Sequence, residues 1–205
     1  MSRYRLSVFN ETALPNNDFA AGLQTVEQHL ARVLAPEHIA ADVVLQPKHG
    51  RIPKDLMAKR PAGTRLLCLV DDGSRALSLC KDFHIPITDI QRAQALRPTA
   101  HGLAPIRRPA LFLWAFEVNG VKRYNTSFGT RLRGSCLHEL GHSHGLVHEK
   151  DAKGTPRDQD LDLMIARPRD DDPKAHYLPV DATYIAERMS IFVKHDKGGY
   201  HYPAA

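Results

Sequence analysis

The chain has 205 residues, 42% of them hydrophobic, with 28 Lys and Arg against 23 Asp and Glu and a formal net charge of +5. That length can bury one sizeable core, so a single domain over residues 1–205 is expected, and no apolar run approaches the eighteen or more residues of a membrane span. The basic residues are scattered, with only short clusters such as Arg107 and Arg108, which speaks against nucleic acid as the partner.

Residues Arg5 to Phe9 alternate polar and apolar like a short strand. Asp18 then stands as an N-cap, and Phe19, Leu23, Val26, Leu30, Val33 and Leu34 follow at helical spacing until Pro36 stops the helix. Ala41 to Gln46 and Arg65 to Val70 are aliphatic runs bounded by Pro and Gly, which reads as two strands. Weaker helical patterns follow in Ser74 to Phe83 and Thr88 to Leu96. Leu111 to Val118 is strand-like, and Asn119 with Gly120 is the favoured two-residue turn pair, so Val121 to Phe128 should fold back against it. Thr130 is expected to cap a helix through Leu146. A Pro- and Asp-rich loop then leads to Asp181, the expected cap of a last helix with Tyr184, Ile185, Met189 and Phe192 on its apolar face.

The chemistry concentrates in His138-Glu139-Leu140-Gly141-His142-Ser143-His144-Gly145-Leu146-Val147-His148. On a helix, residues four apart differ by about 400° and rise roughly 6 Å, so His138 and His142 leave one face and can share a metal. Glu139 lies about 100° round from His138, offset from the ligand line but within reach of a water on that metal. A continuing helix would put His148 roughly 240° away from His142, facing the wrong side. Gly145 provides the break, because glycine enters the left-handed conformation at a helix C-terminus without steric cost and can bring His148 back. His144, about 200° from His142, should point away and receives no ligand role. Three neutral imidazoles leave one position of a tetrahedral Zn2+ open to water, and Glu139 can take its proton, so peptide-bond hydrolysis is the expected reaction. In a chain of this composition the five fixed positions match by chance about once in 10⁴.

These residues resemble the metzincin signature HExxHxxGxxH, and HELGHSHGLVH is especially similar to its matrixin version. The resemblance implies one catalytic zinc on His138, His142 and His148, Glu139 as general base, and a methionine turn beneath the metal. Met164 is the matching methionine, since Met57 precedes the signature and Met189 falls in the last helix. It also implies a mixed α/β (α+β) fold, a mostly parallel twisted sheet with an antiparallel edge hairpin, a zinc-site helix and a C-terminal helix. The order of elements read above agrees. An extended protein or peptide substrate would pair with an edge strand, expected to be one strand of the Leu111 to Phe128 hairpin. Several departures leave the subfamily unassigned. There is no cysteine-switch segment, the four-cysteine archaemetzincin pattern is missing, and Ala166 stands two residues after Met164, where astacin- and serralysin-like members carry Tyr. Glu149 follows the third histidine as in astacins, without their propeptide.

Other polar clusters offer less. Asp158, Asp160 and Asp162 have the alternation of a calcium loop, but the sharp-turn glycine is missing and Arg169 stands where a bidentate Glu belongs. Tyr124, Tyr177 and Tyr184 are possible oxyanion donors with nothing to select one, and His84, His101, His176 and His195 are isolated. Cys68, Cys80 and Cys136, odd in number and in apolar surroundings, suit reduced buried thiols. With an opening segment that turns polar too early for a signal-peptide core, this makes the cytoplasm the default location and leaves delivery by a signal-independent secretion route open. Two rival readings share the scaffold: a non-catalytic zinc-dependent binding protein, and a hydrolase of cell-wall peptide crosslinks.

Overall fold

The computed structural model describes residues 2–48, 50–97, 100–114, 117–118, 121–122, 128–146, 163–164 and 176–203, with the backbone alone at 117–118, 121–122 and 128–131. The aliphatic runs form β1 (Arg3–Asn10), β2 (Ala40–Leu45), β3 (Thr64–Val70) and β5 (Ala110–Trp114), joined by a two-residue strand, β4 (Gly102–Leu103). The five strands lie in the order β2-β1-β3-β5-β4. β1 runs parallel to β2 and β3, and β3 parallel to β5. β4 is antiparallel to β5, Gly102 facing Leu113 and Leu103 facing Phe112.

β3 and β5 are apolar at nearly every position because both faces of the sheet are covered. Leu66, Cys68 and Val70 of β3, with Ala110, Phe112 and Trp114 of β5, point toward α2 (Gly73–Asp82) and α3 (Asp89–Ala95). Leu67, Leu69, Leu111 and Leu113 point the other way, into a larger core shared with α1 (Asn17–Leu34), α4 (Phe128–Ser143) and α5 (Pro179–His195). In α1 the buried Phe19, Leu23, Val26, Leu30 and Leu34 form the expected stripe. Asp72 caps α2 by accepting from Arg75 N at 2.8 Å, and Thr88 with Gln91 forms a capping box on α3.

The mixed, mostly parallel α/β architecture matches the expectation, and three local readings shift. Asn16 precedes α1 and Leu178 with Pro179 opens α5, so Asp18 and Asp181 sit in the first turns rather than at the caps. There their charge still complements the positive end of the helix. α4 begins at Phe128, two residues before Thr130, and ends at Ser143 rather than Leu146. β6 (Glu117–Val118) and β7 (Val121–Lys122) do pair antiparallel, but as a separate two-stranded sheet; Asn119 and Gly120, expected as their turn, lie outside the described residues. The antiparallel edge of the main sheet is β4, and Leu111 to Trp114 lies between β3 and β4 with both sides paired. Leu111 to Trp114 is thereby ruled out as the substrate rail, because β5 has no open edge to offer; most of the remaining hairpin lies outside the described residues.

The segment after α5 is pinned to the residues leading into β3 by a buried ion pair. Arg60 Nη1 and Nη2 donate to the two carboxylate oxygens of Asp196 at 2.6 and 2.8 Å, and Arg60 also donates to Thr64 O, Gly199 O and His201 O. All three cysteines are buried and free, and burial pushes the Cys80 thiol up to about 12. No helix among the described residues is long and apolar enough to cross a membrane.

Candidate functional site

Leu132, Cys136, Leu137 and Leu140 bury one face of α4 in the larger core, which leaves a more polar edge carrying His138 and His142. Their rings meet edge to face with centroids 4.6 Å apart, and the two Nε2 atoms approach to 3.1 Å. His138 Nδ1 donates to Leu163 O at 2.5 Å and His142 Nδ1 donates to Leu146 O at 2.8 Å. A carbonyl oxygen can only accept, so each Nδ1 carries the hydrogen and Nε2 of each neutral ring presents its lone pair. Two lone pairs do not attract each other, and a shared cation between them removes the conflict. Nitrogens bound at about 2.05 Å to one tetrahedral zinc lie roughly 3.3 Å apart, close to the spacing that α4 imposes. The donor set therefore fits zinc, and carbonyl-held Nδ1–H groups are the usual orienting partners of histidine ligands. Among the described residues no three His, Cys, Asp or Glu side chains converge on one point. His148, expected as the third ligand, lies outside the described residues, as do Glu149, Asp158, Asp160, Asp162, Ala166, Arg169 and Tyr124.

Gly145 terminates the helix, with φ at +105°. Leu146 N donates to Gly141 O at 3.0 Å and Gly145 N donates to His142 O at 2.9 Å, the paired closing bonds of a helix that ends on a left-handed residue. That turn has a direct use, since it carries Leu146 O to His142 Nδ1.

Glu139 points from α4 toward the sheet edge and is 9% exposed. A Cβ on Gly102 would fall 2.6 Å from its Oε1, so β4 reaches the carboxyl only because residue 102 lacks a side chain. Burial pushes the Glu139 carboxyl up to about 8, a rise that an Ala104 backbone N–H on the carboxylate only partly offsets. Met164, 1% exposed, lays its Sδ against the bare Cα of Gly141, between the two histidines. The preceding residue, Leu163, supplies the carbonyl that holds His138.

His144 faces away from this site, as its helical angle requires. Arg65 Nη2 donates to its Nδ1 at 3.2 Å, so in the neutral ring Nε2–H donates to Tyr4 Oη at 3.0 Å. Burial, reinforced by Arg65 and Arg188, holds this imidazole well below the usual histidine range. Tyr177 donates its hydroxyl to Leu137 O and is buried, which commits it to the core. Sequence reasoning missed Gly102 and Ala104. A lone glycine in a two-residue strand leaves no periodic signal, and a backbone N–H leaves none at all.

No protein-family model and no curated protein matches the chain. Solved structures do, 59 chains in all, among them the crystal structure of metalloproteinase-II from Bacteroides fragilis. It aligns with a TM-score of 0.51 at 11% identity over 91% of this chain, which spans about half (53%) of that protein. At that identity the likeness concerns the fold.

Proposed function

We propose that the chain is a zinc-dependent metalloendopeptidase of metzincin type, with residues 1–205 as one catalytic unit, zinc on His138, His142 and His148, and Glu139 as general base. The observation that carries this reading is the 3.1 Å convergence of two Nε2 atoms whose Nδ1 partners are tied to backbone carbonyls. The shared fold with a protein named metalloproteinase-II supports the same class. Bound zinc supplies Lewis acidity and lowers the pKa of a water, the nucleophile that peptide hydrolysis needs.

The chain's own residues do the rest. Glu139 takes the water's proton at its carboxylate and returns it to the departing amine; its raised pKa suits a group that holds and releases a proton near neutrality. Met164 packs against Gly141 between the ligand positions, and the left-handed Gly145 is the break through which His148 would return to the metal. An extended peptide adding antiparallel to the edge strand β4 would pass directly over Glu139, because Gly102 and Ala104 both touch that carboxyl.

The test is metal content by mass spectrometry on protein purified without a metal-affinity tag, followed by digestion of a broad peptide library. About one zinc per chain is expected, strongly reduced in His148→Ala, with cleavage that vanishes in Glu139→Gln while its zinc remains. Well-folded wild type without zinc sinks the reading, and full zinc with no cleavage converts it to a non-catalytic binding protein.

A further inference from the structure

Away from the paired histidines, a small, partly open cleft lies at the C-terminal end of α4, lined by Arg65, Arg107, Arg188, His144, Phe192 and Tyr202 among others. Among the described residues, no acidic side chain lines it. Arg65 is 4% exposed. Its Nη1 donates to Arg108 O at 2.5 Å and its Nη2 to His144, both neutral acceptors, while Nε finds no acceptor among the described residues. Asp196, a carboxylate near enough to act on Arg65, is already gripped through both oxygens by Arg60. Among the described residues two buried guanidiniums thus share one carboxylate, and Arg65, stacked 4.4 Å from the Phe192 ring centre, keeps a positive charge with no carboxylate of its own. A buried charge without a counterion is costly, and burial with the neighbouring Arg60 pulls the Arg65 guanidinium down to about 10.

Two more cations face the same space without carboxylate partners among the described residues. Arg107 holds φ at +60°, a left-handed conformation that a non-glycine residue adopts at a cost and that persists where surroundings enforce it. Its side chain lies across Gly145, where an added Cβ would stand 3.2 Å from Arg107 Nε and 3.1 Å from Tyr184 Oη. Arg188, half-buried on α5, stacks its guanidinium 5.5 Å from the Tyr184 ring centre.

We propose that this cleft is an oxyanion-binding site that takes a carboxylate or phosphate group, with Arg107 and Arg188 gripping the anion and Arg65 supplying the buried charge beneath it. The anion is the counterion that the buried set lacks, and planar guanidinium forks match the oxygen pairs of both groups. This assignment does not rest on the peptidase reading.

The experiment is calorimetric titration of the full chain with inorganic phosphate and, separately, with succinate, in chloride buffer at constant ionic strength. Saturable binding of at least one anion is expected. Affinity should fall about tenfold in Arg107→Gln and further in the Arg107→Gln/Arg188→Gln double variant, with Arg107→Lys between, because lysine keeps the charge and loses the fork. Arg32→Gln, on the exposed side of α1, should bind like wild type. Preference between the two anions assigns the source of the ligand. Anion bound at the histidine pair instead would survive both substitutions; that result, or a response that merely tracks ionic strength, overturns the proposal.

Discussion

Glu139 Oε1 lies 2.6 Å from the point where a Cβ on Gly102 would stand, so the carboxyl of α4 is placed by a gap in β4. Alanine at 102 displaces the carboxyl and pulls it from the Ala104 N–H. On the peptidase reading, Gly102→Ala lowers kcat/KM by about 10²-fold, the penalty of misplacing a reacting group by roughly an ångström. Zinc content stays at the wild-type level, because the histidines are held by Leu163 and Leu146 rather than by β4. Paired kinetics and metal analysis check this; unchanged turnover would show that β4 does not position Glu139.

Gly145 carries a similar dependence on a missing side chain. At φ +105° any L side chain is strained, and the new Cβ would crowd Tyr184 Oη and Arg107 Nε. Gly145→Ala is expected to cost about 1–2 kcal/mol or more in urea unfolding. On the peptidase reading it should also weaken zinc retention, since the same turn brings Leu146 O to His142. Gly50→Ala is the control: nothing lies within 4 Å of its Cβ position, so its effect should stay within about 0.5 kcal/mol.

The long elements were legible because burial writes itself into the sequence. α1 shows its stripe at Phe19, Leu23, Val26, Leu30 and Leu34, and β3 and β5 are apolar throughout because helices cover both faces. Cap residues were harder to place, since Asp is favoured both at the N-cap and in the first turn, which is how Asp18 and Asp181 slipped inward. At the site, angular spacing alone put His138 and His142 together and turned His144 away. What orients the two imidazoles stayed hidden, because Leu163 and Leu146 act through backbone carbonyls that any residue supplies. β4 was unreadable for a related reason: two residues, one of them glycine, show no period. The partners of His144, Tyr4 and Arg65, lie far away along the chain.

The Arg60–Asp196 pair offers a stability test independent of activity. Both side chains are fully buried, and the Asp196 Oδ2 also accepts from Gly63 N at 2.8 Å. Asp196→Ala strands the guanidinium and one backbone donor, so a loss of about 3–5 kcal/mol in unfolding free energy is expected. Chemical denaturation followed by circular dichroism measures it; a loss below about 1 kcal/mol would show that water reaches Arg60 on truncation.

Two histidines buried in neutral form govern the acid side of the stability curve. Burial, with Arg133 beside it, depresses His29 to about 3, and burial with Arg65 and Arg188 holds His144 well below its ordinary value. The unfolded chain protonates both near pH 6.5, so below that point it binds more protons than the native state. Their contribution is fully present above about pH 6.5 and is lost as pH falls; for His29 the loss is about 1.4 kcal/mol per pH unit, or roughly 2 kcal/mol by pH 5. Glu139 acts with the opposite sign: its native pKa is raised to about 8, so its contribution declines as pH rises from the ordinary carboxylate range to 8. The comparison is therefore made in metal-free Glu139→Gln protein, with urea unfolding at pH 7.5 and pH 5. Adding His29→Gln should remove about 2 kcal/mol of the loss between the two pH values, and His144→Gln should shrink it in the same direction, whatever either substitution does to stability at pH 7.5. An unchanged difference would mean that the histidine concerned takes up its proton inside the folded protein.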